Sequence, residues 1–573
     1  MTATVHVEIE RKYDVDGQAS LPRLNGVGGV AQVRYRPPMS LEAIYFDTTD
    51  RDLSANSVTL RRRTGGTDAG WHVKIGRGDR RLELQAPLGK DEALDIVGGS
   101  VSVTVPEQIL DLVRAHVRSK TLIPIARLNT LRSVVDLMNA QGRRLAEVSD
   151  DQVAAMAVGL RTESRVQHWR EWEVEIIDAD LVSALVGSTD PFLDAVGTVL
   201  ESAGARPSAS GSKVEKVVGR AADPLDPNAP LRDSENPGPD VGQPDVRAVL
   251  TATVRAQVQK LKGWDPLVRR DVEDSVHQYR VCCRTLRSTL QTYSALLEQE
   301  RSSEVIKDLK KLGTLLSTAR DAEVVRDQVK DKVAALPGGK NGPVAAMVPG
   351  KTVKRLRDSK ASAYEAAHAK LVKRMRSDWY FEVLDRLDAF AADVPMNSEH
   401  PDLAADERVD AAHAMVPLAA EQVDSVLALA ASVGSEDDPA HRIELMHDVR
   451  KEAKRLRYAV KAVQDATGLD LGAELVDRMK TAKKLQDVLG EHRDSVMFQE
   501  HVAETAKVAG RKGEDTFGYG LLFATEFTVQ ERTERKAAAL VDQLAGSEAP
   551  SEPEPSPQPE PSSPPDEDGA GIH

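Results

Sequence analysis

The sequence predicts an α+β protein of two domains, an antiparallel β unit followed by an all-α bundle. Three observations carry that prediction. Over residues 6–218 apolar and polar residues alternate in short runs broken by Gly, Asp and Asn, the period of half-buried strands. Over 245–545 long Ala/Leu/Val stretches carry charges at helical spacing, the pattern of packed helices. Between them, 219–244 is rich in Pro and Asp and reads as a disordered linker. The 573 residues exceed what one core organises, since domains hold ~100–200 residues.

The net charge of -14 first suggests that an acidic ligand is excluded. Its distribution removes that objection. Residues 219–245 hold six acids against two arginines, and 546–573 hold seven acids with no Lys or Arg. Together they carry eleven of the fourteen negative charges, so the folded parts are near neutral. The 546–573 segment is Pro/Ser/Glu low complexity and is expected to be a disordered acidic tail. Aromatics make up only 4%, which speaks against a base-stacking or sugar-stacking surface. The two cysteines, Cys282 and Cys283, are adjacent and form no disulfide framework, so a reducing compartment is expected. The N-terminus MTATVHVEIERK lacks a signal-peptide apolar core, and no run of ~18 apolar residues suggests a membrane span. A cytoplasmic protein with no membrane partner is the expectation.

In the β unit, VHVEIERKY places Glu8, Glu10 and Lys12 on one strand face. The arrangement recurs: Arg61 with Arg63 in VTLRRRT, His72 with Lys74 in GWHVKIG, and Glu171, Glu173 and Glu175 in REWEVEII. On the last strand Trp172, Val174 and Ile176 form the opposite, packing face. Such charged faces belong either to an open sheet with one solvated side or to a closed sheet with a charged interior. The second needs a ligand and metal ions to complete it. Carboxylates would then hold divalent cations while Arg and Lys clamp phosphates. In ARLNTLRSVVDL, Arg127 and Arg132 have opposite parity, so a regular strand turns only one of them inward.

Glu8-x-Glu10-x-Lys12 resembles the ExExK signature of the CYTH family, the triphosphate tunnel metalloenzymes. AIYFDTTDRDLSANSVTLRRRTGG, GWHVKIG, RLELQAPL, LAEVSDDQV, WREWEVEII and SASGSKVEKV follow in the family's order, covering 5–218. The resemblance implies an eight-stranded antiparallel tunnel barrel that uses Mg²⁺ or Mn²⁺ on a triphosphate. It implies Glu8, Glu10, Glu173 and Glu175 as metal ligands, with Glu8, Glu10 and Lys12 catalytic. Lys12, Arg61, Arg63, Lys74, Arg132 and Lys213 are implied as the triphosphate contacts.

In the helical half a motif repeats. His277, Arg280, Arg284 and Arg287 recur as His447, Arg450, Lys454 and Arg457, with identical offsets and a separation of 170 residues. Each set falls within an arc of about 80° on a helix. Lys310, Lys311, Arg320 and Asp321 recur as Lys483, Lys484, Arg493 and Asp494, 173 residues on. A lone basic stripe is usually a solvated face; its repetition points to a duplicated bundle and a polyanion site. His277 and His447 are either phosphate donors or core hydrogen-bonders, and Cys282 and Cys283 read as small core residues. The few nearby aromatics, Tyr279, Tyr293 and Tyr458, make nucleic acid a poor fit. The VHxxRVxxRxLR pattern and its repeat resemble the CHAD family, whose members bind inorganic polyphosphate in a basic groove. That implies Lys310, Arg320, Lys483 and Arg493 as polyphosphate contacts beside the two stripes. Hydrolysis of inorganic tripolyphosphate, or of another triphosphate, is the expected activity. The alternatives are adenylate cyclase or thiamine triphosphatase activity, or a non-catalytic polyphosphate adaptor.

Overall fold

The computed structural model describes residues 4–76, 80–89, 95–97, 100–102, 105–158, 166–186, 188–219, 221, 244–401, 403 and 409–546. Most of the expected linker and nearly all of the acidic tail therefore lie outside the described residues.

The strands are β1 (Thr4–Val15), β2 (Gln32–Tyr35), β3 (Met39–Asp47), β4 (Val58–Thr64), β5 (Gly70–Ile75), β6 (Arg80–Ala86), β7 (Asp95–Val97), β8 (Ser100–Ser102), β9 (Ile123–Met138), β10 (Arg144–Ala157), β11 (Val166–Ile176) and β12 (Arg206–Pro207). Eight pair in the order β10-β11-β1-β6-β5-β4-β3-β9, and β9 pairs back onto β10, closing an antiparallel barrel. Register sets charge against charge across the ladders: Lys12 opposes Glu173, Lys74 opposes Glu83 and Arg132 opposes Asp151. Because side chains alternate faces, closure turns one whole charged face inward and one apolar face outward.

The outward face is covered by helices. Ile9, Tyr13, Val148, Trp172, Val174 and Ile176 pack with Phe192, Leu193, Val196 and Leu200 of α4 (Thr189–Ser202), which follows α3 (Ala179–Val186). Gly197 is required there, since a Cβ would lie 2.4 Å from the Tyr13 hydroxyl. Elsewhere Phe46, Leu60, Trp71, Val73 and Leu84 pack on Leu53 of α1 (Asp52–Ala55) and on Ile109, Leu112 and Val113 of α2 (Glu107–Val117). Each fully buried side chain of this size contributes ~1.5–3 kcal/mol. A short helix, α5 (Lys213–Val218), instead packs Val214 and Val217 on Ala43, Tyr45, Ala126, Leu128 and Ala155.

The C-terminal half is helical: α6 (Val246–Arg269), α7 (Ser275–Thr292), α8 (Gln299–Ala334), α9 (Pro343–Ala346), α10 (Gly350–Met375), α11 (Asp378–Ala392), α12 (Ala411–Gly434), α13 (Pro439–Thr467), α14 (Ala473–Arg511) and α15 (Phe517–Leu544). The chain divides into two compact units that do not follow sequence order: 1–331 with 353–418 and 458–471, and 332–352 with 419–457 and 472–573. In the first unit the barrel is docked on helices. Leu267 and Trp264 of α6 join the Phe46–Leu112 cluster. Arg118 holds Asp385 at 3.0 Å and Asp388 at 2.5 Å, Lys262 reaches Asn56 at 2.7 Å, and Arg269 bridges Asp265 at 2.6 Å and Asp111 at 3.4 Å.

The expectation about membrane spans rested on consecutive apolar residues, and no run of eighteen occurs. Among the described residues α12 is long and apolar enough by length and composition, with mean hydropathy 1.3 over eighteen residues. Glu421 and Asp424 interrupt the run, which hid it from a reading by consecutive apolar residues. Its Met415, Ala419, Val423 and Val426 are fully buried.

Candidate active site in the barrel and the basic helices

Alternation on five strands and the start of α5 bring the charged residues to one cavity of about 170 Å³. It is lined among others by Glu8, Glu10, Lys12, Arg61, Arg63, Lys74, Arg132, Glu173, Glu175 and Lys213. All ten positions singled out as phosphate or metal contacts thus face one space. Arg127 pairs with Glu42 at 2.5 Å and does not line the cavity, as its parity requires. Tyr45, Arg81, Glu83 and Glu147 also line it and were not singled out from sequence. Arg81, Glu83 and Gln85 share one face of β6, an alternation present in RLELQ, whereas Tyr45 shares its row with the apolar Ala43 and Leu41 and gives no such signal.

The charges separate into two groups. In the first, Lys213 on α5 binds Asp151 (3.0 Å), Glu171 (2.6 Å) and Glu173 (2.7 Å). Arg132 clamps Asp151 at 2.6–2.7 Å and reaches Glu173 at 2.8 Å, and Lys12 adds a contact to Glu173 at 2.5 Å. Despite burial, which opposes ionisation, Lys12, Lys213 and Arg132 hold the Glu173 carboxyl well below its usual range. Asp151, Glu171 and Glu173 have oxygens close enough together to hold an ion, but these cations already neutralise them.

The second group is short of cations. Lys74 binds Glu8 at 2.5 Å, and Arg81 reaches Glu10 at 3.3 Å. Burial opposes ionisation of Glu10, yet Lys12 and Lys74 bring it down to about 2. Burial and the charge of Glu8 push Glu175 up to about 7, with Glu10 and Glu147 adding to the rise. Glu8 Oε2 is buried and has no hydrogen-bond partner among the described residues. An orphaned carboxylate oxygen beside a carboxyl whose ionisation burial and like charge oppose is what a hard divalent cation would relieve. Glu8, Glu10 and Glu175 therefore fit such a metal. On the basic side, burial and the charges of Arg61 and Arg132 push the Arg63 guanidinium down to about 9, a crowding that an entering polyanion would relieve.

His72 sits between two acceptors, Nε2 at 2.9 Å from the Asp68 carbonyl and Nδ1 at 2.9 Å from Glu83 Oε1. Burial lowers its pKa to about 3, against the hydrogen bond from Glu83. A neutral ring has one N–H and one acceptor nitrogen, so Asp68 and Glu83 together fix its orientation.

The cavity adjoins a vestibule through shared lining by Thr59, Lys74, Arg81 and Ser212; Arg51, Ser54 and Gly76 line the vestibule further out. Among the described residues no aromatic ring lines that vestibule. A larger hollow of about 1390 Å³, lined by Asp14, Leu41, Thr130, Trp169 and Lys216, shares no lining residue with the cavity. Glu171 joins Lys213 of the cavity to Lys216 of the hollow, at 2.6 and 2.7 Å.

The helical stripes are half-buried rows. In the first unit Arg280 donates to Ser317 at 2.9 Å, Arg320 pairs with Glu323 at 2.7 Å, and Arg284 lies 6.0 Å from the Tyr458 ring centre. Arg287 is half-buried and Lys310 exposed. In the second unit Arg457 donates to Gln486 at 2.8 Å, and a Cβ on Gly490 would lie 3.2 Å from the Arg450 guanidinium. Lys483 is exposed and Arg493 half-buried. Lys454 departs from its counterpart Arg284, being buried. Burial, with Arg320 nearby, lowers the His277 pKa, and burial with Lys451 and Arg493 lowers that of His447 to about 4. Both imidazoles are thus neutral near pH 7, and Nδ1 of each lacks a partner. Cys282 and Cys283 are free and buried, and burial pushes the Cys282 thiol up to about 11, as core residues.

Comparison with known proteins follows this division. The CYTH domain model matches residues 6–184 and the CHAD domain model residues 252–503. An uncharacterised Mycobacterium tuberculosis protein, Rv2226, is 36% identical over 548 residues, 94% of this chain and 96% of its own. The chain is a CYTH–CHAD protein. PptA from Streptomyces chartreusis aligns at 19% identity over 53% of this chain and 100% of its own, TM-score 0.40. The CHAD domain from the plant Ricinus communis aligns at 20% over 54% and 94%, TM-score 0.40. The CYTH family comprises divalent-metal-dependent enzymes that act on triphosphates, and CHAD domains are linked to polyphosphate. The CYTH–CHAD order and the barrel-plus-bundle fold agree with the reading of the sequence.

Proposed function

We propose that the barrel hydrolyses inorganic tripolyphosphate with Mg²⁺ or Mn²⁺, and that the basic helices bind inorganic polyphosphate. The observation that carries this reading is a small cavity with cations on one side, cation-poor carboxylates on the other, and a vestibule without a ring on which a base could stack. Glu8, Glu10 and Glu175 would hold the metal, which supplies charge neutralisation of the phosphates and a polarised water. Arg61, Arg63, Lys74, Arg81 and Arg132 bind and align the phosphate chain, neutralising charge as it develops on the oxygens. Lys12, tied to Glu10 at 2.7 Å and Glu173 at 2.5 Å, fixes the junction of the two charge groups. The polyphosphate reading rests on the two basic stripes repeated at identical offsets, whose affinity should fall with salt.

The test is a substrate panel with both metals. Orthophosphate should be released from tripolyphosphate, and Glu8→Gln or Glu10→Gln should bring release to background. Cyclic AMP and pyrophosphate from ATP would replace this reading with the cyclase. Tight, salt-sensitive polyphosphate binding without turnover of any triphosphate would leave only the adaptor.

A further inference from the structure

The second unit has a feature that the proposed function leaves unused: the place where the acidic C-terminal segment leaves the fold. Helices α14 and α15 run antiparallel, fixed by four cross-links. Gln499 donates to the Phe523 carbonyl at 3.1 Å, Ser495 to the Glu526 carbonyl at 3.3 Å, His492 meets Glu534 at 3.4 Å, and Arg532 pairs with Glu491. Each step toward the C-terminus of α15 is a step toward the N-terminus of α14. Continued at that register, Leu544, the buried last residue of α15, comes level with the 479–482 turn of α14.

That turn borders the second basic stripe. Lys480 is already paired with Asp477 at 2.8 Å. Lys483 and Lys484, one turn further, are exposed, and no ion pair is recorded for either among the described residues. Arg457 meets α14 at Gln486 and Arg450 meets it at Gly490, so the stripe begins where the two lysines end. From Arg457 back to His447 it extends about 15 Å along α13.

We propose that the acidic segment 547–573 docks on Lys483 and Lys484 and along the Arg457–Arg450 stripe, holding that face against other polyanions. The segment carries seven carboxylates and no Lys or Arg, several spaced by proline as in SEPEPSPQPEP. Its 27 residues are chain enough to reach along the stripe. Its tether begins within about two turns of the lysines, which gives it a high effective concentration there. The contact is electrostatic, so it weakens with salt and gives way to a denser polyanion. The consequence for polyphosphate rests on the function proposed above; the contact itself does not.

Zero-length carbodiimide coupling of the full chain, followed by peptide mapping, tests the contact. Carboxylates of 547–573 should link to Lys483 and Lys484 within one copy, and the links should vanish at high salt. Links spread over distant lysines, links only between isotopically distinct copies, or none at all would overturn the proposal. Labelled medium-chain polyphosphate provides the second measurement. Removal of 547–573 should tighten its binding several-fold at low salt, and this gain should vanish with Lys483→Ala and Lys484→Ala in the same chain. Unchanged affinity on truncation would overturn the shielding role. Intact links in a chain that binds no polyphosphate would leave the contact standing and remove the polyphosphate reading instead.

Discussion

Glu175 and Lys213 stand in opposite electrostatic positions, and each makes its own prediction. Glu175 is pushed from its ordinary 4.5 to about 7 by burial and by Glu8. A carboxyl with a raised folded pKa favours folding below its unfolded pKa, and that contribution is lost as pH rises from 4.5 through about 7. Metal-free protein should therefore lose thermal stability over that window, with a shallower slope in Glu175→Gln. Added Mg²⁺ should stabilise most at the alkaline end, where the ligand is ionised; thermal scans with and without Mg²⁺ check both. Lys213 is the shared cation of three buried carboxylates, so Lys213→Met should cost about 3–5 kcal/mol, the penalty of stranding buried charge, read by chemical denaturation. Glu83→Gln keeps a hydrogen-bond partner for His72 Nδ1 and should be tolerated better than Glu83→Ala, which strands that nitrogen at about 1–3 kcal/mol. The inward parity of Glu8, Glu10, Lys12, Arg61, Arg63 and Lys74 was legible because each has a charged neighbour two residues away. Asp151 and Glu147 were not, since LAEVSDDQV mixes acids on both faces and only closure shows which face is enclosed.

Among the elements, α5 decides how complete the cavity is. Its Ser212 N-cap accepts from Glu215 N at 3.3 Å, and Glu215 reaches back to Gly211 N at 2.8 Å, a capping pattern readable in GSKVE. The six-residue helix has no stability of its own and is held by Val214 and Val217 against the barrel. Ser212→Ala should cost about 1 kcal/mol and, by loosening Lys213, raise KM for the triphosphate more than it lowers kcat. The stripes on α7 and α13 were legible from the repeat. Their burial was not, because equal offsets do not reveal that Lys454 lies deeper than Arg284. Arg450→Ala should weaken polyphosphate binding and make its log–log salt slope shallower, whereas Lys454→Ala should also lower stability.

For the whole molecule, sequence suggested a barrel and a bundle joined by a linker, and the existence of both follows from periodicity. The docking within the first unit does not. Leu267, Trp264 and Arg269 read as ordinary residues of an amphipathic helix, and only the fold shows them against Leu112 and Asp111. The barrel and the first helical half should therefore unfold together in calorimetry, and residues 1–221 alone should melt lower than the barrel does in the full chain. Leu267→Asp should lower that joint transition; an unshifted barrel transition would show that the docking contributes nothing. The charged knot of Asp151, Glu171 and Glu173 with Lys213 and Lys216 has one more effect. It stands between the small cavity and the larger hollow, which share no lining residue, so under the function proposed above a phosphate chain reaching the cavity would meet a closed end there. On that reading each cleaved fragment would leave by the way it entered, and turnover would slow as short fragments accumulate in the cavity.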